Sequence, residues 1–249
     1  MKSFLIHLIV LFAIMLPMAQ ADSADPDATA LLKSADRSRG NLQGLAWHVK
    51  TTTVKKNGET DTSLELSILS RNADSLIRFT APARMRGQMM LMRDRNMWFI
   101  RPGLRKPVAI SPRQRLTGAA SNGDIASTNY AGDYQVTHIE EAVWNNVPCY
   151  ILDLVASTKD VTYDKIKYWI SRSDQIGIRS EFYTVSGKRF KEALFKYDNT
   201  LVRDGVETPF LSRMVITDLH SDSQTTLSYS DVEIRDIPDS AFNLNLLMH

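Results

Sequence analysis

A chain of 249 residues is long enough to bury a sizeable core, and its single cysteine, Cys149, excludes an internal disulfide. Its 30 basic and 28 acidic residues nearly cancel, leaving a formal charge of +2. So even a balance argues against a general nucleic-acid partner, which needs a strong basic excess.

Residues 1–21 read as a secretory signal peptide: Lys2, an apolar run over 4–16 interrupted only by His7, then Pro17 and Ala19-Gln20-Ala21. A spanning helix needs about 20 apolar residues, so this run is short for one, and a membrane anchor is the competing reading. Cleavage after Ala21 is expected, leaving residues 22–249 as a single domain with 29 basic and 28 acidic residues. No cysteine stands at the new N-terminus to carry a lipid, so the expected mature protein is soluble, unanchored and periplasmic.

A short amphipathic helix is predicted after Pro26, with Ala28, Leu31, Leu32 and Ala35 on one face and Gly40 as its stop. The period then falls to two. Residues 43–55, 60–70, 75–81, 87–93 and 97–101 alternate as strands, joined by turn signals at Asn57-Gly58, Asn72-Ala73-Asp74 and Asp94. Residues 104–132 break the pattern and read as an irregular or helical lid insertion, since so long a connection is usually functional. Strands resume over 134–143, 147–156, 165–171, 179–185, 189–197, 209–219 and 224–234. No βαβ alternation is present. The expected fold is α+β, mainly β: a curved antiparallel sheet of about eleven strands forming an incomplete, half-open β-barrel.

No catalytic constellation is legible. His48, His138, His220 and His249 have no metal-ligand spacing, and no nucleophile elbow or phosphate loop occurs. Glu140 and Glu141 are adjacent on a strand and point to opposite faces. Cys149 sits in an apolar strand, as a buried structural thiol would. No cofactor and no metal are expected. What stands out is apolar: Met85, Met89, Met90, Met92 and Met97 cluster, and methionine suits variable apolar shapes. With Trp47, Leu66, Met90, Met92, Phe99, Tyr168, Phe182, Leu194 and Met214 facing inward, the sheet would line a cavity for acyl chains. The competing reading makes these ordinary core residues. Between Arg84 and Arg115, nine basic residues face one acid, Asp94. Arg93, Arg101 and Arg105 are the candidates for contact with an anionic headgroup or an acidic partner, against the alternative of a solvated rim.

The stretch from Arg86-Gly87 through Leu91 and Met97-Trp98 to Pro102, continued by Arg105 and Ile110-Ser111, resembles outer-membrane lipoprotein-sorting-like proteins. The strand around Tyr168-Trp169, the first helix and the closing Asp231-Val232-Glu233-Ile234 fit the same likeness. The resemblance implies the LolA/LolB superfamily: an incomplete barrel with helices over a hydrophobic cavity, members of which carry lipoprotein acyl chains across the periplasm. Implied partners are a lipid or lipoprotein acyl chain, an inner-membrane exporter or an outer-membrane acceptor, with the chain a monomer in peripheral membrane contact. A protein-interaction or envelope-sensing module using the same half-barrel is the alternative. The chain departs from the family at Gly118-Ala119-Ala120-Ser121-Asn122-Gly123-Asp124-Ile125, where an aromatic is lost, which suggests a divergent branch.

Overall fold

In a computed structural model of the chain, residues 27–248 are described, apart from Thr62, Ser127 and Asp204. The expected signal peptide and its cleavage site lie outside the described residues.

Helix α1 (Ala28–Arg37) starts at Asp27, whose side chain accepts from the Thr29 and Ala30 backbone N–H at 2.9 and 3.1 Å. Leu31, Leu32 and Ala35 form its buried face. Then follow β1 (Leu45–Val54), β2 (Glu65–Arg71), β3 (Asp74–Ala81), a 3-10 turn (Ala83–Met85), β4 (Met89–Arg93), β5 (Asn96–Ile100) and β6 (Val108–Ile110). The region expected to be irregular holds β6 and four more short elements: β7 (Arg115–Thr117), β8 (Ala120–Ser121), α2 (Asn122–Ile125) and α3 (Tyr130–Asp133). The second half comprises β9 (Tyr134–Trp144), β10 (Val147–Ala156), β11 (Lys165–Ser171), β12 (Gly177–Tyr183), β13 (Arg189–Lys196), β14 (Asn199–Arg203), β15 (Val206–Phe210), β16 (Arg213–Asp218) and β17 (Ser223–Ile234).

One curved antiparallel sheet of 13 strands dominates, in the order β6-β5-β4-β3-β2-β1-β17-β16-β13-β12-β11-β10-β9. It does not close: β6 and β9 are its two edges. The turns at Asp94-Arg95 and Asn145-Asn146 have φ of +48° and +65° at their two central residues, as tight hairpins with a matching twist require. The strand count exceeds the expected eleven for local reasons. β6 is too short to show periodicity. Residues 209–219 are two strands, because the chain breaks at Leu211 and Ser212, where Leu211 N–H donates to Ser38 O. The first of them pairs with β14 as a separate hairpin.

The concave face holds the main core, which α1, α3 and the β14–β15 hairpin help to fill with Leu32, Tyr130, Leu201 and Phe210. A second apolar cluster lies on the other face of β3–β5. There Leu76, Leu91 and Ile100 are buried beneath Ile237 and Phe242 of the C-terminal segment.

Candidate binding site

Strand alternation sends Trp47, Leu66, Met90, Tyr168, Phe182 and Met214 into the concave core, each no more than 2 % exposed. Met92 and Phe99 are half-buried and pack against the same core. Leu194 does not join them. It faces outward, 41 % exposed, while Ala193 and Phe195 take the inner positions. Packing sets this phase. Tyr168 pairs with Ser180, and Ser180 with Ala193, so the large ring lies beside two small residues along one row of the sheet. Gly177 belongs to the same arrangement: a Cβ there would stand 1.8 Å from the Tyr168 hydroxyl.

Residues 111–133 bridge the gap between β6 and β9 and form a cover over the concave face. Their buried apolar residues are Pro112, Ala119, Ala120, Ile125, Ala126 and Tyr130, with Leu116 and Ala131 partly buried against the same core. Polar contacts do most of the fastening. Arg113 meets Asp164 at 2.6 Å and donates to Lys159 O at 3.2 Å. Arg95 meets Asp133 at 2.7 Å. The Ala119 N–H donates to Thr225 Oγ1 at 2.8 Å. Here the β7–β8 turn packs onto the paired Thr53 and Thr225 of β1 and β17, and only glycine fits. Gly118 has φ +50°, and a Cβ would lie 2.2 Å from both Thr53 Oγ1 and Thr225 Oγ1.

Two buried polar clusters hold the underside of the cover. In the first, the Tyr163 hydroxyl lies 2.8 Å from both Asp124 oxygens. The Lys191 ammonium donates to that hydroxyl at 3.1 Å and to Ser121 Oγ at 3.0 Å. Burial first, and the Asp124 charge second, push the Tyr163 hydroxyl well above its ordinary pKa, so it stays a donor. In the second, Asp36 accepts from the Ala131 N–H at 2.8 Å and so anchors α3. Arg39 lies against the Tyr130 and Phe195 rings, 5.1 and 4.5 Å from their centroids. The sequence signal for both clusters was slight: charged residues in phase with apolar ones, Lys191 with Ala193 and Phe195, and Asp36 beside Ala35.

Two openings meet this interior. An open cleft of about 830 Å³ is floored by Leu64, Met85 and Leu116 and rimmed by Lys55, Lys56, Arg84 and Arg115. It lies at the sheet end where β1 turns toward β2 and β16 toward β17. Met85 is the member of the methionine cluster that reaches it. A much smaller cavity of about 50 Å³ lies beneath the cover, with Arg39, Met92, Tyr130 and Tyr163 in its wall.

The three candidate arginines are dispersed. Arg93 sits at the β4–β5 turn, where it donates to Phe242 O at 3.4 Å. Arg101 follows the opposite end of β5, and Arg105 lies beyond it in the connection to β6; both are exposed. Arg93 is therefore separated from the other two by the length of a strand. Burial raises the pKa of the Cys149 thiol, away from the thiolate a nucleophile needs. Among the described residues, no group of three or more His, Cys, Asp or Glu side chains could hold a metal ion. No described helix is long and apolar enough to cross a membrane.

A family profile described as an uncharacterized protein matches residues 71–249. A search of curated proteins finds no match. Among solved structures, the LolA superfamily protein NE2245 from Nitrosomonas europaea is 32% identical with a TM-score of 0.78, over 88% of this chain and 98% of that one. A putative outer membrane lipoprotein-sorting protein domain from Vibrio parahaemolyticus is 16% identical with a TM-score of 0.75, over 89% and 98% of the two chains. A DUF1329 family protein from Desulfovibrio piger is 18% identical with a TM-score of 0.72, over 88% and 97%. At these lower identities the last two likenesses speak to the fold alone.

Proposed function

The chain belongs to the LolA superfamily, and from that premise we propose that it binds the apolar part of a lipid, or the acyl chains of a lipoprotein, in the periplasm and carries it toward the outer membrane. The observation that carries this reading is the contrast between an apolar concave face and a cover fastened to it largely by hydrogen bonds and ion pairs. Swinging such a cover aside breaks contacts that water can replace, each worth about 0.5–3 kcal/mol net, with the upper end for those to charged groups. The face it uncovers then gains about 0.8 kcal/mol for each ligand methylene taken from water. An acyl chain therefore supplies the free energy of opening without any specific polar contact. Met90, Met92 and Met214 can repack around chains of different shape. The 830 Å³ cleft beside the β7–β8 turn is the entry route, since its floor of Leu64, Met85 and Leu116 leads to that turn. An exporter or acceptor at a membrane would load and unload the carrier.

Native mass spectrometry of the mature protein purified from its own periplasm, followed by lipid extraction, tests the reading. A co-purifying lipid or acylated peptide near one-to-one is expected. A clean ligand-free mass, with no uptake of added phospholipid or lipopeptide, overturns it.

A further inference from the structure

Arg39 is a buried cation with no ion-pair partner among the described residues. It follows α1 and is 6% exposed. Its Nε and Nη1 have no hydrogen-bond acceptor. The aromatic faces of Tyr130 and Phe195 support its charge only in part. The buried Tyr168 ring neighbours Arg39 but offers it a neutral hydroxyl and no countercharge, and the Tyr197 hydroxyl is buried without a partner. A guanidinium taken out of water is ordinarily matched by a carboxylate or phosphate at bonding distance. Asp36 is the carboxylate nearest in sequence and feels the Arg39 charge, but its Oδ2 accepts from the Ala131 N–H and neither of its oxygens makes a salt bridge to Arg39.

The small cavity beneath the cover has Arg39 and Met92 in the same wall. Its acidic residues are largely accounted for. Asp133 pairs with Arg95, and Asp124 is held by Tyr163 and Lys191. Asp160 is exposed. Of the basic residues in the wall, Arg95 is paired and Arg39 is not.

We propose that Arg39 receives the anionic group of the ligand, so that the half-barrel selects an acidic amphiphile over a neutral one. The acid is a carboxylate or a phosphate, both of which match guanidinium donors. The head occupies the cavity at Arg39, and the chain runs from Met92 toward Met90 along the concave face once the cover yields. This inference rests on the carrier reading and adds the chemistry of the head.

The test is equilibrium binding to the delipidated mature protein, using oleate, oleoyl lysophosphatidate and oleyl alcohol as probes. At least one acid is expected to bind about tenfold or more tightly than the alcohol, and which acid it is separates a carboxylate source from a phosphate source. Arg39→Gln should abolish the preference, bringing the acid-to-alcohol affinity ratio to about one, and Arg39→Lys should retain part of it. Equal affinity of wild type for the acids and the alcohol overturns the proposal and leaves the carrier reading standing, as does a preference that survives Arg39→Gln. If none of the three probes binds, the carrier reading itself fails, and this inference with it. Should Arg39→Gln not fold, the wild-type ratio of acid to alcohol affinity decides alone.

Discussion

Tyr163 donates its hydroxyl to Asp124 at 2.8 Å and thereby ties the β10–β11 connection to the cover. Asp124 also accepts from the Ser121 N–H at 2.8 Å, closing the capping box that starts α2. The Lys191 ammonium of β13 completes the cluster, 3.7 Å from the Asp124 carboxylate. One buried carboxylate thus shapes the cover locally and fastens it to two separate parts of the sheet.

That arrangement predicts a graded response to substitution. Tyr163→Phe removes the hydroxyl but keeps the ring stacked on Phe182, whose centroid is 3.8 Å away. Its cost should be about 1–3 kcal/mol, from donors and acceptors left unpaired in the interior. Lys191→Met leaves Asp124 buried without its cation and should cost about 3–5 kcal/mol. Urea denaturation gives both values, and limited proteolysis within residues 111–133 reports the cover itself. Variants as stable and as protected as wild type would show that the cluster does not hold the cover.

Asp36 gives the cover a dependence on pH. Burial, opposed by the backbone N–H groups of Ala131 and Tyr130 and by Arg39, pushes its carboxyl from 3.8 up to about 7. Asp133 is the acidic neighbour that adds to the rise. In the unfolded chain the group loses its proton near the ordinary value of about 3.9; folded, it keeps the proton until about 7. Across that window the folded state binds more protons than the unfolded one, so this group's contribution falls as pH rises. It is fully present below about pH 4 and lost above about pH 7. Asp36→Asn cannot titrate and still offers Ala131 an acceptor. Relative to Asp36→Asn, wild type should therefore lose on the order of a few kcal/mol between about pH 4 and about pH 8. Denaturation curves collected across that range would refute the assignment if the two proteins changed in parallel.

Much of this architecture can be read from the sequence, and the failures have physical causes. Alternation in β1, β2 and β11 put Trp47, Leu66 and Tyr168 on the concave side, because on those strands a single face is predominantly apolar. In β4 the run Met89-Met90-Leu91-Met92 has no polar partner in its period. The outward burial of Met89 and Leu91 follows from the C-terminal segment, which no local pattern announces. Leu194 misled by its size: the neighbouring inner position needed something as small as Ala193 to accommodate Tyr168. The elements of the cover are too short for a period to register. The polar clusters under it pair Tyr163 with Asp124 and Lys191 across 39 and 28 residues of chain, a relation that appears only once the sheet curves.

The C-terminal segment yields the last prediction. Arg71 lies 5.4 Å from the Phe242 ring centroid, donates to Ile237 O at 3.2 Å and pairs with Asp239. Arg93 donates to Phe242 O from the neighbouring hairpin. Two arginines thus grip the segment while Phe242, 1% exposed, is pressed against the outer face of β3–β5. These strands are apolar on both faces, so the segment makes the outer one compatible with water. Phe242→Ala should cost about 3–5 kcal/mol, as for other buried aromatic truncations. Removing residues 236–249 should do more than destabilise: with Leu76, Leu91 and Ile100 uncovered, an apolar patch beside the open β6 edge invites self-association. Sedimentation velocity across a concentration series should show the truncated chain associating where the full chain does not, alongside a lower melting temperature. A truncated chain that sediments and melts like the intact one would mean that the outer face of β3–β5 tolerates water without its cover.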